Sequence, residues 1–174
     1  MVVLQPVDIA VAFLAAYHQN NGAFSPKAIH TDLGIPWSSL HVSLGRLQES
    51  GIVRGGRVSQ QSLAILLPAL QYVVPARPRV GETVRGVPTG ASSPALLGRL
   101  VVSTPMVWES ERGSVVGIPV DPLYRTIPDI SLNSEGLHSL FGALDSARTG
   151  RARELGLARL VLGELVGLPE PMAA

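Results

Sequence analysis

Between Trp37 and Arg57 lies a run of side chains whose types suit contact with nucleic acid. Ser38 and Ser39 carry short hydroxyls that can bond a phosphate or a base, His41 can read a purine acceptor, and Arg46 can reach guanine or the backbone. Arg54 and Arg57 follow on a short glycine turn, where they can meet flanking phosphates or a minor groove. Trp37 and Val42 lie beside the polar groups; Trp37 suits either a core edge or a contact with the DNA backbone, because large aromatics are mostly buried.

Such groups work only on a scaffold that turns them outward. Leu40, Leu44 and Leu47 fall at i, i+4 and i+7, which predicts a helix from Trp37 with those leucines facing a core. Ser38, His41, Val42, Gly45, Arg46 and Glu49 are then left outside, with Trp37 at the N-terminal edge. Upstream, Val7 to Tyr17 has the spacing of an amphipathic helix. Ser25 as N-cap and Pro26 at the first helical position predict a second helix, Pro26 to Leu33, that Gly34 ends. Downstream, Gly51 stops the third helix, and IVRGGRV predicts two short strands around Gly55-Gly56, a pair suited to a two-residue turn.

The stretch AIHTDLGIPWSSLHVSLGRLQESGIV resembles the core of bacterial winged helix-turn-helix regulators of the broad MarR-like kind. There a hydrophobic-x-x-x-Leu-Gly-hydrophobic stretch precedes a Ser/Thr-rich recognition helix that ends in Leu-x-x-x-Gly-hydrophobic-hydrophobic. His30 stands where such regulators carry a small alanine, and its own reading is a hydrogen-bonded packing residue between two helices. The resemblance implies a sequence-specific regulator that binds double-stranded DNA through Trp37, Ser38, Ser39, His41, Val42, Arg46, Arg54 and Arg57. Charge sets a condition on that reading. Residues 1–75 hold Lys27, Arg46, Arg54 and Arg57 against Asp8, Asp32 and Glu49, so two copies are needed for enough phosphate contacts, and a homodimeric autorepressor is expected.

Two domains of an α+β chain are expected: residues 1–75, the winged helix-turn-helix with the helix after it, and residues 76–174, a smaller mixed domain of a short sheet and a C-terminal helical hairpin. The Pro75 to Gly81 segment reads as the linker. SQQSLAILLPALQYVV is apolar almost all round, so it must be covered on several sides, by the second domain or at a dimer seam, and Pro68 should kink it. TVRGVPTG, LGRLVVS, PMVWES and SVVGIPV read as strands, PLYRTIPDISLNS as a connection with Asn133 or Ser134 capping the next helix, and GLHSLFGALDSAR and ARELGLARLVLGELVGL as helices.

The phrases LQYVVPARP, RGVPTGASSP, VWES, VDPLYRTIPD and LFGALDSARTGRARELG are similar to a group of bacterial winged-helix proteins. These are the antitoxin or regulator half of two-gene systems whose other half is a nucleotidyltransferase-like toxin. That resemblance implies a cognate toxin as partner, with Asp145, Arg148, Arg151 and Arg153 as a polar contact surface; the same charges also fit the solvated side of a helical hairpin. Two other functions compete with DNA binding: a protein-interaction module that neutralises a partner without DNA, and a small-molecule-responsive regulator with its pocket among the VVS and VVGIPV segments.

Other classes lack support. The chain has no cysteine, which excludes disulfides and thiolate metal sites and fits a reducing cytoplasm. Hydrophobic residues make up 46% and charged residues 16%, yet no apolar run reaches the roughly 20 residues of a membrane span, and no signal peptide opens the chain. There is no phosphate loop, nucleophile elbow or HExxH motif, and His18, His30, His41 and His138 lack ligand spacing, so neither enzyme, cofactor nor metal is expected. Asp121 and Asp129 bracket a Tyr-Arg pair, a weak basis for acid-base chemistry.

Overall fold

The computed structural model describes residues 1–170; the expected second domain's last residues, 171–174, lie outside them. The fold is α+β. Helix α1 (Pro6–Asn20) is its axis, because Ile9 to Ala16 are apolar around the whole circumference and every one of them has zero exposure.

Around α1 the first elements follow local signals. Helix α2 (Pro26–Leu33) begins where the Ser25 hydroxyl accepts from the Ala28 N–H at 3.2 Å, and ends at Gly34 in the left-handed region. Helix α3 (Trp37–Glu49) follows the Ile35-Pro36 turn, and its inward face is Leu40, Ser43 and Leu47. Leu44, expected inside, is half-buried, and a serine takes the place one turn from Leu40 because a buried carboxylate waits there. Strands β1 (Val53–Arg54) and β2 (Arg57–Val58) pair antiparallel across Gly55 and Gly56, whose φ values of 55° and 71° suit residues without a Cβ.

Helix α4 (Gln60–Leu66) is capped by Ser59, and Pro68 tightens Leu67–Ala69 into a 3₁₀ turn before α5 (Leu70–Val73). Leu63, Leu67 and Leu70 are buried. The other side of this rod is not covered by the second half of the chain, with Ile65, Tyr72 and Val73 exposed.

The chain then forms a closed barrel of only three strands, β3 (Val84–Thr89), β4 (Met106–Glu109) and β5 (Val115–Pro119). Strand β3 runs antiparallel to both others, and β4 and β5 lie parallel. So small a circle needs backbone against backbone: a Cβ on Gly86 would sit 2.1 Å from the Trp108 carbonyl oxygen. LGRLVVS, expected as a strand, makes a turn-rich loop with one isolated bridge between Leu97 and Leu100.

PLYRTIPDISLNS, expected as a connection, contains α6 (Ile127–Asn133), for Pro128 in the first turn starts a helix rather than preventing one. Helix α7 (Glu135–Arg148) is capped by Ser134, whose hydroxyl accepts from the Leu137 N–H, and α8 (Ala152–Val166) closes the fold.

One continuous cluster of buried side chains spans both halves, since α1 packs on α3 and also on α7 and α8. The expected linker is bound along its length: the Ala76 N–H donates to the Arg148 carbonyl and the Arg79 N–H to the Pro119 carbonyl. The change in sequence character near residue 75 therefore marks a change of secondary structure within a shared core.

Two glycine substitutions should separate close approach from mere flexibility. Gly86→Ala forces the barrel apart and should cost about 3 kcal/mol or more. Gly156→Ala, inside α8 with nothing within 4 Å of its Cβ position, should gain up to about 1 kcal/mol of helix propensity. Urea unfolding of both variants reads the difference.

Candidate nucleic-acid interface

The outward side of α3 begins with an aromatic stack. The Trp37 indole lies on the His30 imidazole at 4.4 Å between ring centres and 18° between planes, and the His41 ring is 6.0 Å further along the helix. His30 is fixed by its Nδ1, 2.6 Å from the Ile35 carbonyl oxygen; a carbonyl only accepts, so Nδ1 carries the proton. The two readings of Trp37 thus meet halfway: one face rests on His30, and 43% of the residue remains exposed.

Ser38, Ser39, His41 and Val42 are all exposed, held outward by Leu40 and Leu47 behind them. Ser38, Ser39 and Val42 line a shallow groove whose far wall is Tyr124, from the segment before α6. The neighbouring Arg125 is exposed, stands 5.7 Å from the Tyr124 ring centre and makes no ion pair among the described residues. The Thr126 hydroxyl donates to the Leu33 carbonyl at 2.6 Å and so ties this segment to the end of α2. Tyr124 and Arg125 were not among the expected interface residues. The only signal was the Tyr-Arg pair between two aspartates, and nothing local says that it folds back onto α3.

Arg46 is placed differently from expectation. Its Nε and Nη2 donate to the two Asp8 carboxylate oxygens at 2.7 and 2.8 Å, and Ser43 donates to the same carboxylate at 2.6 Å. Asp8 has no exposure, so its charge draws the guanidinium down onto α1 and holds it more firmly protonated than usual. Arg46 fastens α3 to α1, and the 28% of its side chain that stays exposed lines the same groove as Ser38, Ser39 and Val42. Arg54 also turns back, its Nε donating to the Gly51 carbonyl at 3.0 Å. Arg57 is exposed and makes no ion pair among the described residues.

The expected partner-binding group is divided by the fold. Asp145 and Arg148 are buried on α7, which is covered by β3, α6 and α8, and they form an internal network instead of a surface. Asp145 accepts from the Thr89 hydroxyl at 2.8 Å, from the Trp108 indole N–H at 2.7 Å and from Arg148. Arg148 also donates to the Val74 carbonyl at 2.7 Å and to the Asp121 carbonyl at 3.2 Å. Arg151 and Arg153 are exposed, with Arg151 paired to Glu154 at 3.2 Å.

No cluster of three or more His, Cys, Asp or Glu side chains able to hold a metal occurs among the described residues. None of the described helices is long and apolar enough to cross a membrane. No family model, curated protein or solved structure matches the chain, so its functional reading rests on its own geometry.

Two predictions concern the buried charges. Arg46→Ala strands the Asp8 carboxylate and should cost about 3 kcal/mol, or a fall in Tm of roughly 6–12 °C for a chain of this size; calorimetry checks it. His138, beside Trp108, has Nε2 2.7 Å from the Pro88 carbonyl, and burial pushes its pKa below the ordinary value. The unfolded chain then takes up the proton first as pH falls. Stability should be full above the ordinary histidine value of about 6.5 and decline as pH drops toward the depressed folded value, and His138→Gln should remove that decline in urea titrations.

Proposed function

We propose that this chain is a winged helix-turn-helix regulator that binds double-stranded DNA with α3 in the major groove and the β1–β2 hairpin as the wing. The observation that carries the reading is the outward row of Trp37, Ser38, His41 and Val42 on a helix whose opposite side is locked in the core. Short polar groups at the N-terminal half of such a helix suit base edges. In this reading Ser38 and Ser39 bond a base or a phosphate, His41 reads a base, Val42 offers an apolar contact, and Trp37, stacked on His30, covers the backbone.

Charge for the phosphates comes from outside α3. Arg57 on the hairpin and Arg125, next in the chain to Tyr124 of the groove wall, are exposed guanidiniums without an ion pair among the described residues, and Arg54 stands at the base of the wing. So few cations favour two copies acting together. Ile65, Tyr72 and Val73, at i, i+7 and i+8 along the α4–α5 rod, offer an exposed apolar side for a second copy in a dimeric autorepressor. The same side supports a second reading, in which the chain captures a protein partner such as a toxin and represses nothing. Sedimentation of the pure chain separates the two, because only the first requires a stable dimer without a partner.

Fluorescence anisotropy on DNA from upstream of the chain's own gene tests the DNA reading. Ser38→Ala and His41→Ala should each lose about 1–3 kcal/mol of discrimination between bases. Arg57→Ala and Arg125→Ala should instead weaken binding to every sequence and reduce the salt slope by about one each. Unchanged affinity and discrimination in both Ser38→Ala and His41→Ala would remove α3 as the reader.

A further inference from the structure

A cleft of about 310 Å³ opens on the far side of the barrel, between the loop that follows Leu100, the ends of β4 and β5, and the junction of α7 with α8. That volume lies at the small end of the range of small-molecule sites, about 300–1,000 Å³. Its lining is mixed: Met106, Ile118 and the exposed Val80, Val101 and Val102 supply apolar surface, and Ser103, Thr104 and Thr149 stand among them. Apolar side chains gathered at the rim of a concavity gain by covering an apolar body.

One corner carries charge. Glu154 is only 7% exposed, although it is the sole acidic side chain lining the cleft. The Thr149 hydroxyl donates to its Oε2 at 2.7 Å, and Arg151 donates to its Oε1 at 3.2 Å. These two partners differ. Thr149 is half-buried and shares its one hydroxyl proton between Glu154 Oε2 and the Ser146 carbonyl oxygen, each at 2.7 Å, whereas the Arg151 side chain is 79% exposed. An ion pair with so exposed a partner contributes little, because water competes for the guanidinium and the long chain loses freedom.

We propose that the cleft binds a small organic amine, with its apolar body against Met106, Ile118 and the rim valines and its ammonium group on Oε1 of Glu154 in place of Arg151. A buried carboxylate with apolar side chains across the same cleft favours a cation that brings its own apolar surface, for the ion pair then forms partly away from water. An anion meets the opposite: it would have to approach Glu154 and break the Arg151 contact with no other cation lining the cleft. The site stands apart from the α3 face, and binding to it is read directly, whether or not the chain binds DNA.

Matched six-carbon probes test the assignment: n-hexylamine, 1-hexanol and hexanoate, titrated by calorimetry into the full chain, with thermal shift as a second readout. Hexylamine should bind saturably and raise Tm, hexanol should bind about tenfold more weakly, and hexanoate weakest of all. Glu154→Gln should bring hexylamine down to the level of hexanol. Arg151→Ala, at an exposed position, should tighten hexylamine about threefold by removing its competitor. The proposal is overturned if hexanoate binds best, if Arg151→Ala weakens the amine, if Glu154→Gln leaves the preference intact in a protein that still unfolds cooperatively, or if no probe saturates.

Discussion

A carboxylate withdrawn from water has to find its partners inside the protein, and Asp8 finds all of them at one crossing. It accepts from the Gln5 N–H at the start of α1 and from Ser43 and both arms of the Arg46 fork on α3. Because a planar fork meets a carboxylate in few orientations, this contact sets the rotation of α3 about its own axis as well as its distance from α1. The outward row of Trp37, Ser38, His41 and Val42 is a consequence of that rotation. The arginine with the most apparent potential for reading a base is the one that aims the others.

The second half repeats the device with Asp145, which gathers β3, β4 and the end of α7 through Thr89, Trp108 and Arg148. Arg148 extends the reach of that carboxylate to the backbone at Val74 and Asp121. In each half a buried acid costs desolvation that is offset only when every lone pair is used, so these networks tolerate one arrangement and resist sliding. They also change the meaning of a charge count. Arg148 belongs to the interior and Arg46 is tied to a buried acid, so the cations left for a polyanion are those such as Arg57 and Arg125 that no acid has claimed.

The proposed DNA-facing surface and the proposed amine cleft lie in different halves of one continuous core. Thr126 ties the second half to the end of α2, and Tyr124 forms the far wall of the groove along α3. The interface is therefore composite. A truncation after α5 would remove Tyr124 and Arg125 from it and uncover α1 on the side where α7 and α8 pack.

What the amino-acid sequence by itself determined was the set of elements whose signals act within a few residues. Ser25, Ser59 and Ser134 cap helices, Gly34 ends one, Gly55-Gly56 turns the hairpin and Pro68 tightens a turn, since each bond involved spans about four residues or fewer. The exposed face of α3 was legible for the same reason, because helical period separates Leu40 and Leu47 from Ser38 and His41. Only the tertiary structure decided which polar residues would be spent inside. Arg46 and Asp8, or Asp145 and Trp108, are far apart in the chain, and nothing in their own neighbourhoods records that a partner arrives. It likewise decided that Tyr124 would border α3 and that three short strands would close on themselves, because such contacts depend on how whole elements pack, where sequence periodicity carries no information.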